Sequence, residues 1–150
     1  MSDLGTDFTP NSQWGGGPTR SYETLAARFR PVFARIAEGA AKREIERTLP
    51  FEQIGWLKEV RFGALRVPVA DGGHGADLEE LFELLTELAA ADSNLSQILR
   101  AHFGVVENVL GSNDEAHRKK WFVRFAKGDI FGGAFTERGT KAGILSLIHI

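Results

Sequence analysis

Four histidines and no cysteine make up the neutral-range acid–base chemistry of this 150-residue sequence, and one of the four sits where a titratable ring is least comfortable. Leu95, Ile98, Leu99, His102, Phe103, Val106, Val109 and Leu110 follow the i, i+3, i+4, i+7 spacing of a helix face. His102 is the one polar member of that stripe. An imidazole on a face that is otherwise dry must either find a buried hydrogen-bond partner or face a cavity. The first gives a core histidine bonded to a backbone carbonyl, the second a proton donor for chemistry. His74 lies among Gly72, Gly73 and Gly75. These glycines superficially suggest a phosphate loop, but no strand of adequate length precedes them, no Lys-Ser/Thr follows and no full Gly-x-Gly-x-x-Gly is present. His74 is therefore expected to be a solvated loop residue.

Two further stretches have chemistry-bearing composition. Ile130-Phe-Gly-Gly-Ala-Phe-Thr136 reads as a strand, and two glycines within a strand indicate close approach of a ligand or another backbone. Arg118, Lys119, Lys120, Arg124 and Lys127 form a basic run, either a solvated face or a surface for a phosphate-bearing ligand or an acidic partner, such as the Glu79 to Glu87 face of another subunit. No metal site is expected.

The composition fits an ordinary globular domain, 43% hydrophobic and 25% charged. A net charge of -2 gives no footprint for nucleic acid. No apolar run approaches the roughly 20 residues needed to span a bilayer. The start, Met1-Ser-Asp-Leu-Gly5, lacks the basic and apolar regions of a signal peptide, so the expected location is the cytoplasm.

The expected organisation is all-α. Residues 1–20, rich in Gly and Pro, read as a flexible tail whose Trp14 is a docking contact onto its own domain. From about Ser21, the apolar positions Leu25, Phe29, Val32, Phe33, Ile36, Ala37 and Ala40 predict a long first helix, either kinked at Pro31 or beginning near Arg30. Pro50 opens a short helix to about Val60, with Phe51, Ile54 and Leu57 inward. Residues 63–75 form an irregular connector. Asp77 with Glu80 reads as a capping box for an acidic helix that presents Leu78, Leu81, Phe82, Leu85, Leu88 and Ala89 to the core. Asp92, Ser93 and Asn94 are caps for the His102 helix, which Gly111 stops. Ser112 with Glu115 resembles another capping box, opening a helix from about Asp114 to Lys127 that carries Trp121, Phe122 and Phe125. No partner strand is expected for residues 130–136.

The order of these signals is informative. A long amphipathic helix precedes Val67-Pro-Val-Ala-Asp-Gly-Gly-His-Gly75. Then come Ala90-Ala-Asp-Ser-Asn-Leu95 and, after a helix ending Lys127-Gly-Asp129, Gly133-Ala-Phe-Thr-Glu137. Over roughly residues 21 to 142, this order resembles the N-terminal helical domain of the acyl-CoA dehydrogenase superfamily. The resemblance implies a helical bundle at 21–129 and the first strand of a truncated middle β-domain at 130–144; separately, residues 145–150 resemble the translation of a sequencing adapter and are set aside from the fold and the site. It also implies flavin, FAD or FMN, with Gly133, Phe135 and Thr136 lining the flavin site and Phe103 and Gly104 lining the adjoining substrate cavity. A small-molecule substrate and a homotetramer or dimer at full length belong to the same expectation.

Typical dehydrogenases continue after Thr-Glu with Pro-Gly-Ala-Gly-Ser-Asp, whereas this chain has Arg138-Gly-Thr-Lys-Ala142. With Arg100-Ala-His-Phe103, this is more similar to the flavin-dependent monooxygenase branch that acts on dibenzothiophene and sulfones. There His102 would be a catalytic hydrogen-bond donor to the oxygenated flavin. The alternatives are a true dehydrogenase, whose glutamate base would lie in a later domain, and a non-enzymatic helical interaction module. In either enzymatic case this segment alone is expected to be inactive.

Overall fold

A computed structural model describes residues 19–134 and 146–149. Thr19 caps the first helix, α1 (Arg20–Ala26), by accepting the Tyr22 N–H at 3.1 Å. A turn then separates α1 from α2 (Arg30–Ala37), which places Pro31 in its first turn, where a missing N–H leaves no bond unmade. The helix expected through Ala40 is therefore divided: one helix does begin at Arg30, a separate one precedes it, and Ala40 opens a further helix. A third, α3 (Ala40–Glu46), ends at Arg47, whose φ of 53° reverses the chain toward Pro50.

Helix α4 (Phe51–Glu59) buries Gln53 and Leu57, an i, i+4 pair. That choice of face corrects the expectation for Phe51, which is 70% exposed, while Ile54 is half-buried. Residues 63–75 form the connector expected, with short 3-10 turns at Phe62–Ala64 and Val69–Asp71. Gly73 is required there. A Cβ on it would lie 2.1 Å from the Val67 carbonyl oxygen.

Helix α5 (Leu78–Ala91) opens on the complete Asp77–Glu80 capping box. Its buried stripe is Leu81, Leu84 and Leu88, so Leu78 and Phe82 lean outward, 49% and 63% exposed, rather than into the core. Helix α6 (Ser93–Leu110) is capped by Asp92 and buries Leu95, Leu99, His102, Phe103, Val106 and Val109. Helix α7 (Glu115–Ala126) is capped by Asp114, which accepts the His117 N–H at 3.0 Å. The Ser112–Glu115 box does not form. The Ser112 hydroxyl instead accepts the Asp114 N–H, and Glu115 pairs with Lys119 one turn on.

After α7 the chain enters β1 (Phe131–Ala134), which pairs antiparallel with β2 (Ser146–His149), Gly133 facing Leu147. The strand expected to lack a partner has one, formed from the segment the sequence reading set aside. The architecture is thus a helical bundle carrying a small two-stranded sheet at its end.

Two polar nodes hold the helices in place. Arg30 on α2 forks onto Glu87 of α5 at 2.7 Å and Glu23 of α1 at 2.6 Å, and the Tyr22 hydroxyl donates to Glu87 at 2.8 Å. Burial and that carboxylate push the Tyr22 hydroxyl well above the ordinary tyrosine range. Arg43 of α3 reaches the buried Asp92 at 2.9 Å, while the other Asp92 oxygen accepts the Asn94 N–H. One carboxylate therefore joins α3 to the start of α6.

Candidate functional site

His102 lies in the middle of α6, fully buried. Its Nδ1 is 3.2 Å from the Phe131 backbone nitrogen, which can only donate, so Nδ1 must be the acceptor. Nε2 then carries the proton and donates to the Gly63 carbonyl oxygen at 2.8 Å. The tautomer follows from the two partners, not from the ring. Burial pushes the imidazole down to about 4, so it is neutral at pH 7. Phe103, Phe125 and Phe131 surround it, the Phe131 ring stacked at 11° with centroids 6.1 Å apart.

Gly63 makes this contact possible. A Cβ there would lie 2.7 Å from the His102 Nε2, closer than side chains approach one another. The neighbouring connector histidine differs from expectation. His74 is not a solvated loop residue; it is half-buried, edge-on to Phe29 at 5.3 Å, with its Nε2 sealed from solvent. Desolvation lowers its pKa.

The opposite side of α6 is open. Phe103 and Gly104 fall on one wall of a groove of about 350 Å³ between α5 and α6, completed by Leu78, Leu81, Phe82 and Leu85. A Cβ on Gly104 would meet nothing within 4 Å. The groove is apolar for most of its lining. Its polar contributors include Arg100 and Glu107, the latter held by Arg66 at 2.6 Å. The outward lean of Leu78 and Phe82, which the helix pattern assigns to the core, is what creates the apolar lip. A stripe wider than its neighbour can cover was the available signal.

Among the residues expected near a cofactor, Gly133 lies in β1 and is exposed. Peptide groups alternate direction along a strand. The Phe131 N–H points at His102, so the Gly133 N–H lies on that same edge, away from β2. Phe135 and Thr136 lie outside the described residues. The structure therefore brings Phe103 and Gly104 together at the groove and puts His102 in the layer between that wall and β1. The partners of His102, Gly63 and the Phe131 amide, were not legible: backbone groups carry no sequence signature.

The basic run of α7 is largely a solvated face, with Lys119, Lys120 and Lys127 exposed. Arg124 is committed to Asp129 at 2.9 Å and lies over the Phe131 ring at 4.8 Å. Among the described residues no group of His, Asp and Glu is arranged to hold a metal ion, and no helix is long and apolar enough to cross a membrane.

The model for the acyl-CoA dehydrogenase N-terminal domain matches residues 19–129. The chain belongs to that family, whose complete enzymes are flavin-dependent oxidoreductases. No curated protein matches it.

Proposed function

We propose that this chain supplies the substrate-facing wall of a flavin-dependent oxidoreductase, with the groove beside Gly104 taking a small apolar substrate and β1 leading into the flavin site. The observation that carries this is the open apolar groove on α6, one ring layer from the glycine-bearing strand. The residues present fit such a cofactor: Gly132 and Gly133 place no side chain over the strand, and the Gly133 N–H lies on the edge turned toward the helical domain. When bound, flavin would supply the redox chemistry and the protein its binding, orientation and electrostatics.

Leu78, Phe82 and Phe103 would exclude water from the substrate and hold it by burial. Gly104 leaves that wall of the groove clear. Backbone N–H groups of the strand, together with Phe135 and Thr136, would orient the ring. His102 contributes a neutral buried ring rather than a titrating one. Donating a hydrogen bond to any other group would require His102 to release Gly63.

Between the two reactions of the superfamily, Arg138-Gly-Thr-Lys141 in place of the usual Pro-Gly-Ala-Gly and the Arg100-Ala-His-Phe103 sequence support oxygenation of an organosulfur or similar apolar compound. The family itself supports the second reading, α,β-dehydrogenation of an acyl thioester. The proposal extends to a cytoplasmic homodimer or homotetramer at full length, which sedimentation would measure.

The deciding experiment supplies the full-length protein with FAD or FMN. It then compares dibenzothiophene with reduced flavin and dioxygen against an acyl-CoA with an electron acceptor. An oxygenated sulfur product supports the first reading and an enoyl thioester the second. Absence of flavin binding leaves the helical interaction module. In the same protein Thr136→Val is expected to weaken flavin binding by about 1 kcal/mol, the worth of one hydrogen bond. An unchanged titration would remove Thr136 from the ring.

A further inference from the structure

We infer that His102 is a positioning residue: its two ring nitrogens tie the connector carbonyl of Gly63 and the first amide of β1 to α6, setting the strand's place against the wall of the groove. The functional part of this inference rests on the reading that β1 leads into the flavin site.

The two bonds join separate parts of the chain. Gly63 is in the connector, His102 in α6 and Phe131 at the start of β1. Residues 39 and 29 positions apart in sequence meet at one ring. One imidazole thus bonds the connector and β1 at once and bridges them through α6. The ring layer makes it directional: Phe103, which lines the groove, lies edge-on to His102 at 5.1 Å, and His102 lies flat against Phe131. The groove wall, the bridge and the strand are consecutive layers. A change in the bridge is felt on both sides.

The bridge also explains why the residue is a histidine. The position needs one donor for a carbonyl and one acceptor for an amide, held rigidly about 2 Å apart, and a neutral imidazole offers both. An aliphatic or phenyl side chain would take from Gly63 C=O and Phe131 N–H the partner that His102 gives each. A primary amide also offers a donor and an acceptor at similar separation, so Gln can satisfy both groups while being unable to take up or deliver a proton.

That difference separates positioning from chemistry. In the full-length protein, His102→Leu and His102→Gln are compared by protection of the Phe131 amide against hydrogen exchange, flavin affinity by titration, and the split between KM and kcat. His102→Leu is expected to lose protection at Phe131 by about tenfold or more and to weaken flavin binding about tenfold, the equivalent of one or two neutral hydrogen bonds. His102→Gln is expected to recover most of both, with a pH profile of kcat like that of the unsubstituted enzyme. If Gln fails like Leu in kcat while keeping flavin affinity and Phe131 protection, the ring acts chemically and the inference is overturned. It is overturned as well if Leu leaves Phe131 protection unchanged. Absence of flavin binding in the unsubstituted protein would instead defeat the functional reading, and amide exchange would still decide whether the bridge exists.

Discussion

The two faces of α6 put opposite kinds of residue to opposite uses. On the closed face stands His102, the residue with the most evident chemistry, with both nitrogens committed to backbone groups of its own chain. On the open face stands Gly104, which has no side chain at all and leaves that wall of the groove clear. The difference teaches that reactivity of a side chain does not identify a site. A buried polar group is compelled to find partners, and those partners can exhaust it. A gap in packing, by contrast, has no chemical label and is visible only once the neighbouring helices are in place.

The comparison can be broken most sharply on the closed face. His102→Leu removes two buried hydrogen bonds, to the Gly63 carbonyl and the Phe131 amide, and is expected to cost about 3 kcal/mol in denaturant unfolding. A loss below about 1 kcal/mol would mean that the bridge carries little of the fold. Gly63→Ala should approach the same loss, because its Cβ would displace the His102 ring.

Acid provides a test of comparable size. The His102 pKa lies at about 4 in the folded chain against 6.5 for the free side chain. Below pH 6.5 the unfolded chain takes up the proton first and is favoured. The stability His102 contributes through remaining neutral is therefore complete above about 6.5, falls as the pH drops, and is gone below about 4. The span corresponds to about 3 kcal/mol at most. His74, depressed by burial as well, titrates in the same sense, so the His102 share is the part of the slope that His102→Gln removes. A slope identical in that variant would contradict the assignment.

The open face should respond the other way. Gly104→Ala is expected to stabilise the chain by up to about 1 kcal/mol, since a helix-interior glycine is replaced without a clash. Loss of stability would show that the groove is filled in solution. The smallest effect is expected for Phe82→Ser, within about 0.5 kcal/mol in stability because the ring is largely exposed, yet with weakened binding of an apolar ligand.

Legibility followed the same division. The Asp77–Glu80 capping box and the cap at Asp92 are local patterns and form as the spacing implies, and so does the α6 stripe except at Ile98, which is 37% exposed. The long first helix divided because a proline can sit in a first turn as readily as it can kink an interior, and spacing alone does not choose. Phe51, Leu78 and Phe82 were assigned inward because periodicity locates an apolar arc but not the width of the neighbour that covers it. His74 was read as solvated because its glycine-rich surroundings suggest a surface loop, whereas tertiary folding tucks it against Phe29. At the site, His102 was legible as a question and its answer was not. The answer is written in two backbone groups distant in sequence. The β1–β2 pairing was missed for a related reason, the second strand coming from a segment excluded in advance.

The most direct test of the account is to fill the groove without touching the bridge. Gly104→Leu in the full-length protein should leave flavin affinity and Phe131 amide protection unchanged, while raising the KM for the apolar substrate about tenfold or more. An unchanged KM, or a parallel loss of flavin binding, would contradict the assignment of substrate to the open face of α6 and flavin to the strand beyond its closed one.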